Sequence, residues 1–263
     1  MMPSIHVVGA DFSTAWLKTV LAVSECTDSQ ALHTVTRVQD TSLPEVPDIR
    51  AAADAVLAET DLPSIRTVAN TIFPRAIADQ TPEPDALAER YAALYPTLKQ
   101  VEPHRNSRGT YFLRLVAYPG PDGTVNQLGH LIRTLRTELA NDRPKRARYE
   151  TGFGATPSSP VALPIFEPGA DTAAMAFPCL SLLSFQHDRT HLHAVAHYRS
   201  QYLTQRGYGN YLGITELINY VAEHTALTAG ALTIVAGQAH ADRMTQRRTR
   251  TLRAIDEALR TPA

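Results

Sequence analysis

The chain has 263 residues, 44% of them apolar and 19% charged, with a formal net charge of -1. That length and composition support a self-sufficient hydrophobic core, and the near-zero charge offers no basic field to hold nucleic acid. Two cysteines, Cys26 and Cys179, are too few for a disulfide scaffold or a cysteine-rich zinc module, and no apolar run approaches a membrane span or a signal segment, so a reducing, cytoplasmic setting is expected.

Ile5-His6-Val7-Val8-Gly9 is a β-branched run closed by glycine and reads as a strand. Asp11 or Ser13 can cap a helix to about Ser24, with Phe12, Trp16, Val20 and Val23 near one face. Leu32 to Val38 reads as a second strand, 40–48 as a loop with two prolines, and 49–59 as an Ala-rich helix. Ser64 can cap a short helix that Phe73-Pro74 ends, and Asp85 to Tyr95 reads as a helix stopped by Pro96. Thr110 to Val116 reads as a strand, and Tyr118 to Gly123 is dense turn chemistry. Val125, Leu128, Leu131, Ile132, Leu135 and Leu139 trace a helical stripe. The basic residues 143–148 lead into a strand ending at Phe153, and 154–171 reads as a long loop. Leu180 to Gln186 and His191 to Tyr198 read as strands joined at Asp188-Arg189, the second ended by Arg199-Ser200. Gly207-Tyr208-Gly209-Asn210 reads as a loop before a helix over 214–225. Leu232 to Ala236 is a last strand, and Met244 to Leu259 an Arg-rich helix. No repeat or linker divides the chain, which reads as one α+β domain over 1–263.

Cys179 follows Pro178 and precedes an apolar run. A thiol reacts as its thiolate, which nearby arginines favour; the plain alternative is a small buried hydrophobe. His187, His191, His193 and His197 are dense, and the last three share the parity of one strand face. Same-face neighbours stand roughly 7 Å apart, and the pattern places no carboxylate or thiol to complete a zinc site. A solvated or interface face is therefore expected, with no metal. Arg199-Ser200 sets a guanidinium fork beside a hydroxyl, a good phosphate contact. The arginines of 243–253 read as a solvated helix face.

Taken in order, Pro178-Cys179-Leu180, a strand, Tyr198-Arg199-Ser200, Gly209-Asn210, a helix, Gly230 and Ala239-His240 resemble the thymidylate synthase and pyrimidine-nucleotide hydroxymethylase superfamily. There a Pro-Cys pair carries the nucleophile, and an Arg-Ser pair, an Asn and a His follow at set distances. Here Arg199, Asn210 and His240 follow Cys179 by 20, 31 and 61 residues, in one register without gaps. Earlier segments are similar more loosely. Phe12 to Trp16 looks like the start of archaeal-type members. Gly109-Thr110-Tyr111 resembles a family stretch of Gly and Tyr. Asn126-Gln127, a helix, then Arg146 and Arg148 resemble the segment that lends arginines to the partner subunit.

The resemblance implies a thymidylate synthase-like α+β fold, a mixed sheet packed with helices and dimerising through the sheet. It also implies a C1 transferase, a methyl- or hydroxymethyltransferase that modifies C5 of a pyrimidine nucleotide. Cys179 would add to C6 and make C5 a carbon nucleophile, with 5,10-methylenetetrahydrofolate as one-carbon donor. Arg199 and Ser200 would hold the nucleotide phosphate, with Arg146 and Arg148 from the other subunit. Asn210 would read the base edge, since an amide both donates and accepts. His240 would contact the sugar, and Tyr111 and Asn70 would join the catalytic set.

Three departures accompany the match. Tyr202 stands where the family has Asp. Asp242 stands where it has Tyr, and can accept hydrogen bonds from sugar hydroxyls. The catalytic Glu has no counterpart; Val68-Ala69-Asn70-Thr71 offers Asn70, whose amide cannot relay a proton. Two alternatives follow: a diverged homologue that binds a nucleotide without the chemistry, and a folate-independent enzyme acting on a pyrimidine-like substrate in secondary metabolism.

Overall fold

The computed structural model of the protein describes residues 4–58, 62–106, 109–120, 123–142, 149–152 and 179–260. The chain opens as β1 (Ser4–Gly9), followed by α1 (Phe12–Ser24), whose first turn is capped by Asp11 accepting the Thr14 N–H at 2.9 Å. β2 (Gln30–Val38) leads to α2 (Pro47–Ala58) and α3 (Ile65–Ile72), the latter capped by Ser64 as its sequence predicts. α4 (Arg75–Gln80), α5 (Pro84–Val101), α6 (Pro103–Asn106) and α7 (Tyr111–Val116) follow.

Two expectations fail in this stretch. Pro96 does not stop α5: the carbonyl it leaves unbonded belongs to Ala92, which is exposed and so open to solvent rather than stranded in the core. Residues 110–116 are helical, not a strand. The Thr110 hydroxyl accepts the Leu113 N–H at 3.1 Å, and Phe112, Leu115 and Val116 are buried at helical spacing.

β3 (Tyr118–Gly120) and β4 (Gly123–Val125) form a small hairpin at the expected turn, and Asn126 caps α8 (Gln127–Leu139). After β5 (Tyr149–Gly152) come β6 (Leu180–His187) and β7 (His191–Tyr202), with Arg189 in the left-handed region at the turn between them (φ 85°). β7 carries Arg199-Ser200 inside it and ends only at Tyr202. A single π-helical turn (Leu203–Gly207) passes without a break into α9 (Tyr208–Glu223), so the expected loop at Gly207–Asn210 is helix. β8 (Thr228–His240) and α10 (Gln246–Arg260) complete the described chain. The expected loop at 154–171 lies outside the described residues.

The main sheet has six strands in the order β1-β2-β8-β7-β6-β5. It is mixed: β1/β2 and β7/β8 are parallel, and the other pairs are antiparallel. Registered residues point to one side. Gly9, Val38, Leu232, Ala194 and Phe185 make one row, all buried beneath the helices. His6, Val35, Val235, His197 and Leu182 make a row on the opposite face, and each of these is half-buried or exposed. No described helix is long and apolar enough to cross a membrane.

α3 reaches α9 through two glycines one turn apart. A Cβ at Gly209 would stand 2.7 Å from the Ile65 carbonyl, and one at Gly213 2.7 Å from the Ala69 carbonyl. The Trp16 indole N–H donates to the Leu203 carbonyl at 2.8 Å, which ties α1 to the π-turn. The strand ends and the start of α9 are thereby held against one rigid layer.

Candidate functional site

Topology brings the candidate residues together. β6 begins where β7 ends, because the two are antiparallel, and β7 and β8 end together, because they are parallel. Cys179 precedes β6, Arg199 and Ser200 lie in the last turns of β7's length, and His240 closes β8. α9 starts five residues beyond β7, so Asn210 sits at the same sheet end. Residues far apart in the sequence come to one end of the sheet.

The Cys179 carbonyl accepts the Arg199 N–H at 2.8 Å, which fixes the thiol-bearing residue beside the arginine. The thiol is free and half-buried. Tyr111, at the start of α7, reaches the same place: its hydroxyl accepts the Leu180 N–H at 3.4 Å. Burial pushes the Tyr111 phenol up, and so does the neighbouring Cys179; the Leu180 and Cys179 amides and the Arg206 guanidinium act the other way. The phenol therefore stays protonated beside the thiol. Tyr198 lies on β7 beside them. Burial first, then Tyr111, Tyr211 and Cys179, hold its phenol well above the usual range, and its hydroxyl has no partner among the described residues.

Asn210 is buried in the first turn of α9. Asn70 follows the α3 residue that packs on Gly213, and its Oδ1 is buried without a partner among the described residues. No hydrogen bond links Asn70 to Cys179, Tyr111 or Asn210 among the described residues. Ser200 is half-buried opposite Gln238 of β8, and Arg199 is exposed. Tyr202 pairs with His240 in register, and the two rings stack at 4.8 Å with 14° between their planes. Both carboxylate oxygens of Asp242 are buried and lack a donor among the described residues. Arg146 and Arg148 lie outside the described residues.

The histidines require one correction. His191, His193 and His197 share a face as expected, but a carboxylate does join them: Asp188 Oδ2 lies 3.2 Å from His191 Nδ1 and 3.5 Å from His193 Nε2. The two residues' amides, His191 and Thr190, hold the Asp188 carboxyl well below the usual range. His193 Nδ1 accepts the Ala231 N–H at 3.0 Å, which leaves the ring proton on Nε2, facing Asp188. That nitrogen is a donor in this arrangement, and no trio of His, Cys, Asp or Glu among the described residues is arranged to hold a metal ion.

Sequence reasoning missed Tyr198 and Arg206. Tyr198 had a signal, since even positions of β7 point into the core. Arg206 had none, because a charged residue on an unrecognised π-turn looks like any loop cation. No family model matches the chain, and no curated protein matches it.

Proposed function

We propose that the chain is a thymidylate synthase-like C1 transferase that modifies C5 of a pyrimidine nucleotide through a Cys179 adduct at C6. One observation carries the reading: Cys179, Arg199, Ser200, Asn210 and His240, matched to that superfamily by spacing alone, converge on one end of the sheet. In this reading the Arg199 guanidinium and Ser200 hydroxyl hold the phosphate, with Arg146 and Arg148 supplied by a second subunit. Asn210 faces the base edge. The Cys179 thiolate adds to C6, and the π electrons of the C5=C6 double bond move toward the C4 carbonyl oxygen of a uracil or toward N3 of a cytosine. The resulting enolate makes C5 nucleophilic. Tyr111, kept protonated by burial, offers a hydroxyl beside the reacting thiol.

The expected one-carbon donor is methylenetetrahydrofolate. The chemistry assigned to this chain's own residues ends at the nucleophilic C5. The dimer belongs to the same reading, with the open sheet face as the joint between subunits. A second reading, a nucleotide binder without the chemistry, is favoured by the Tyr202 ring stacked on His240 and by Asn70 standing where a carboxylic acid would be needed.

Proton exchange at C5 separates the two. The protein is incubated in heavy water with dUMP, UMP, dCMP or CMP, and loss of the C5 proton is followed by NMR beside Cys179→Ser. Exchange with one nucleotide, abolished in the variant, is the expected result. Binding without exchange would favour the binder.

A further inference from the structure

We propose that Asp242 makes this a ribonucleotide site, preferring ribose to 2′-deoxyribose; the inference rests on the nucleotide reading above and adds the class of sugar. Buried carboxylates ordinarily find donors, because desolvation without them is costly. Asp242 has two buried oxygens and, among the described residues, a donor for neither. The backbone around it, by contrast, is well fixed. The Thr204 hydroxyl donates to the Asp242 carbonyl, and the Ala241 N–H donates to the Ser29 carbonyl at 2.9 Å. Arg243 follows in the left-handed region (φ 57°), so the chain turns immediately after the carboxylate. The fold secures the main chain and leaves the acceptors unmatched.

Their position gives this mismatch its meaning. Asp242 stands two residues beyond His240, at the sheet end that also carries Ser200, Cys179 and Asn210. Gln201, on β7 at the same end, is 2% exposed, and its Nε2 lacks an acceptor. Gln201 alternates with Ser200 and Tyr202 along β7 and so faces away from His240, which leaves the two acceptor atoms of Asp242 as the mismatch to be explained. A ribose cis-diol presents two adjacent hydroxyls that donate, and whose oxygens also accept. Acidic side chains take ribose hydroxyls in this way in dinucleotide-binding folds. A deoxyribose has one hydroxyl fewer and leaves an oxygen of Asp242 unsatisfied.

The test is calorimetric titration of the full chain with UMP against dUMP and CMP against dCMP, which needs no turnover. In whichever base pair binds, the ribonucleotide is expected to bind at least tenfold tighter. Asp242→Asn should bring the ratio to within about twofold of unity by weakening the ribonucleotide and sparing the deoxynucleotide. Equal affinities in the unaltered protein would overturn the inference, and so would a preference that survives in Asp242→Asn. Arg199→Ala keeps the two readings distinguishable. If it weakens both sugars alike while the unaltered protein shows no ribose preference, the nucleotide site stands and the role of Asp242 fails. Absence of binding by all four nucleotides would overturn both.

Discussion

Thr110 shows how a single side chain sets the position of a candidate catalytic group. Its hydroxyl caps α7 through the Leu113 N–H and also bonds the Tyr91 hydroxyl at 2.8 Å. Tyr91 is buried, and burial pushes its phenol up to about 12. Thr110→Ala removes the cap and strands the Tyr91 hydroxyl in the core, so it is expected to lower stability by about 2 kcal/mol. Thr110→Ser should restore most of the loss. Urea unfolding of the three proteins measures it, and an unchanged midpoint in the Ala variant would remove Thr110 from this role. Because Tyr111 is the next residue, the same variant should disturb the hydroxyl beside Cys179.

The sequence reading at this point went wrong for a physical reason. Tyr-Phe-Leu-Arg-Leu-Val is rich in residues that favour strands, yet its apolar positions 112, 115 and 116 already carried a helical period. The cap and the core outweighed composition.

At the level of elements, the helices opened by Asp11 and Ser64 were legible because period and cap agree there. The start of α9 was not, because glycines at 207 and 209 look like a loop until α3 is seen lying against Gly209 and Gly213. That contact makes a prediction. Gly213→Ala places a methyl 2.7 Å from the Ala69 carbonyl and 3.0 Å from Ile72 Cβ, so the helices must part. A loss of about 1–3 kcal/mol is expected, measured by urea midpoint, as for other overpacked contacts. An unaffected midpoint would show that the α3–α9 contact yields freely.

Glu216 lies on the same α9 surface, 2.6 Å from Arg66. Burial nonetheless pushes its carboxyl above the usual range, against the pull of Arg66, and its Oε2 is buried without a partner. A folded-state pKa raised in this way favours the protonated form. The contribution is full below the ordinary glutamate value of about 4.3 and is lost as pH rises through the folded value. Glu216→Gln is therefore expected to exceed the unaltered protein in stability near neutral pH, with the gap closing toward pH 4. A variant weaker at neutral pH would show that the Arg66 pair outweighs burial.

For the whole molecule, the question is what covers the second face of the sheet. One face is buried under helices, while the other carries the row His6, Val35, Val235, His197 and Leu182, with Val8 41% exposed in the next row. The shared parity of His191, His193 and His197 foreshadowed the open face. Under the proposed function a second copy lies there and supplies Arg146 and Arg148. Val235 is central in the row, and a lysine there would bury a charge against its own symmetry mate, which association cannot tolerate without a partner. The unaltered protein is expected to sediment at twice the chain mass. Val235→Lys should sediment at the chain mass, with its far-ultraviolet circular dichroism unchanged. The monomeric variant should also bind the nucleotide more weakly, since two phosphate-binding arginines would then be missing. A variant that remains dimeric would move the interface off the sheet. A monomer that binds the nucleotide as tightly as the unaltered protein would show that each site is complete within one chain.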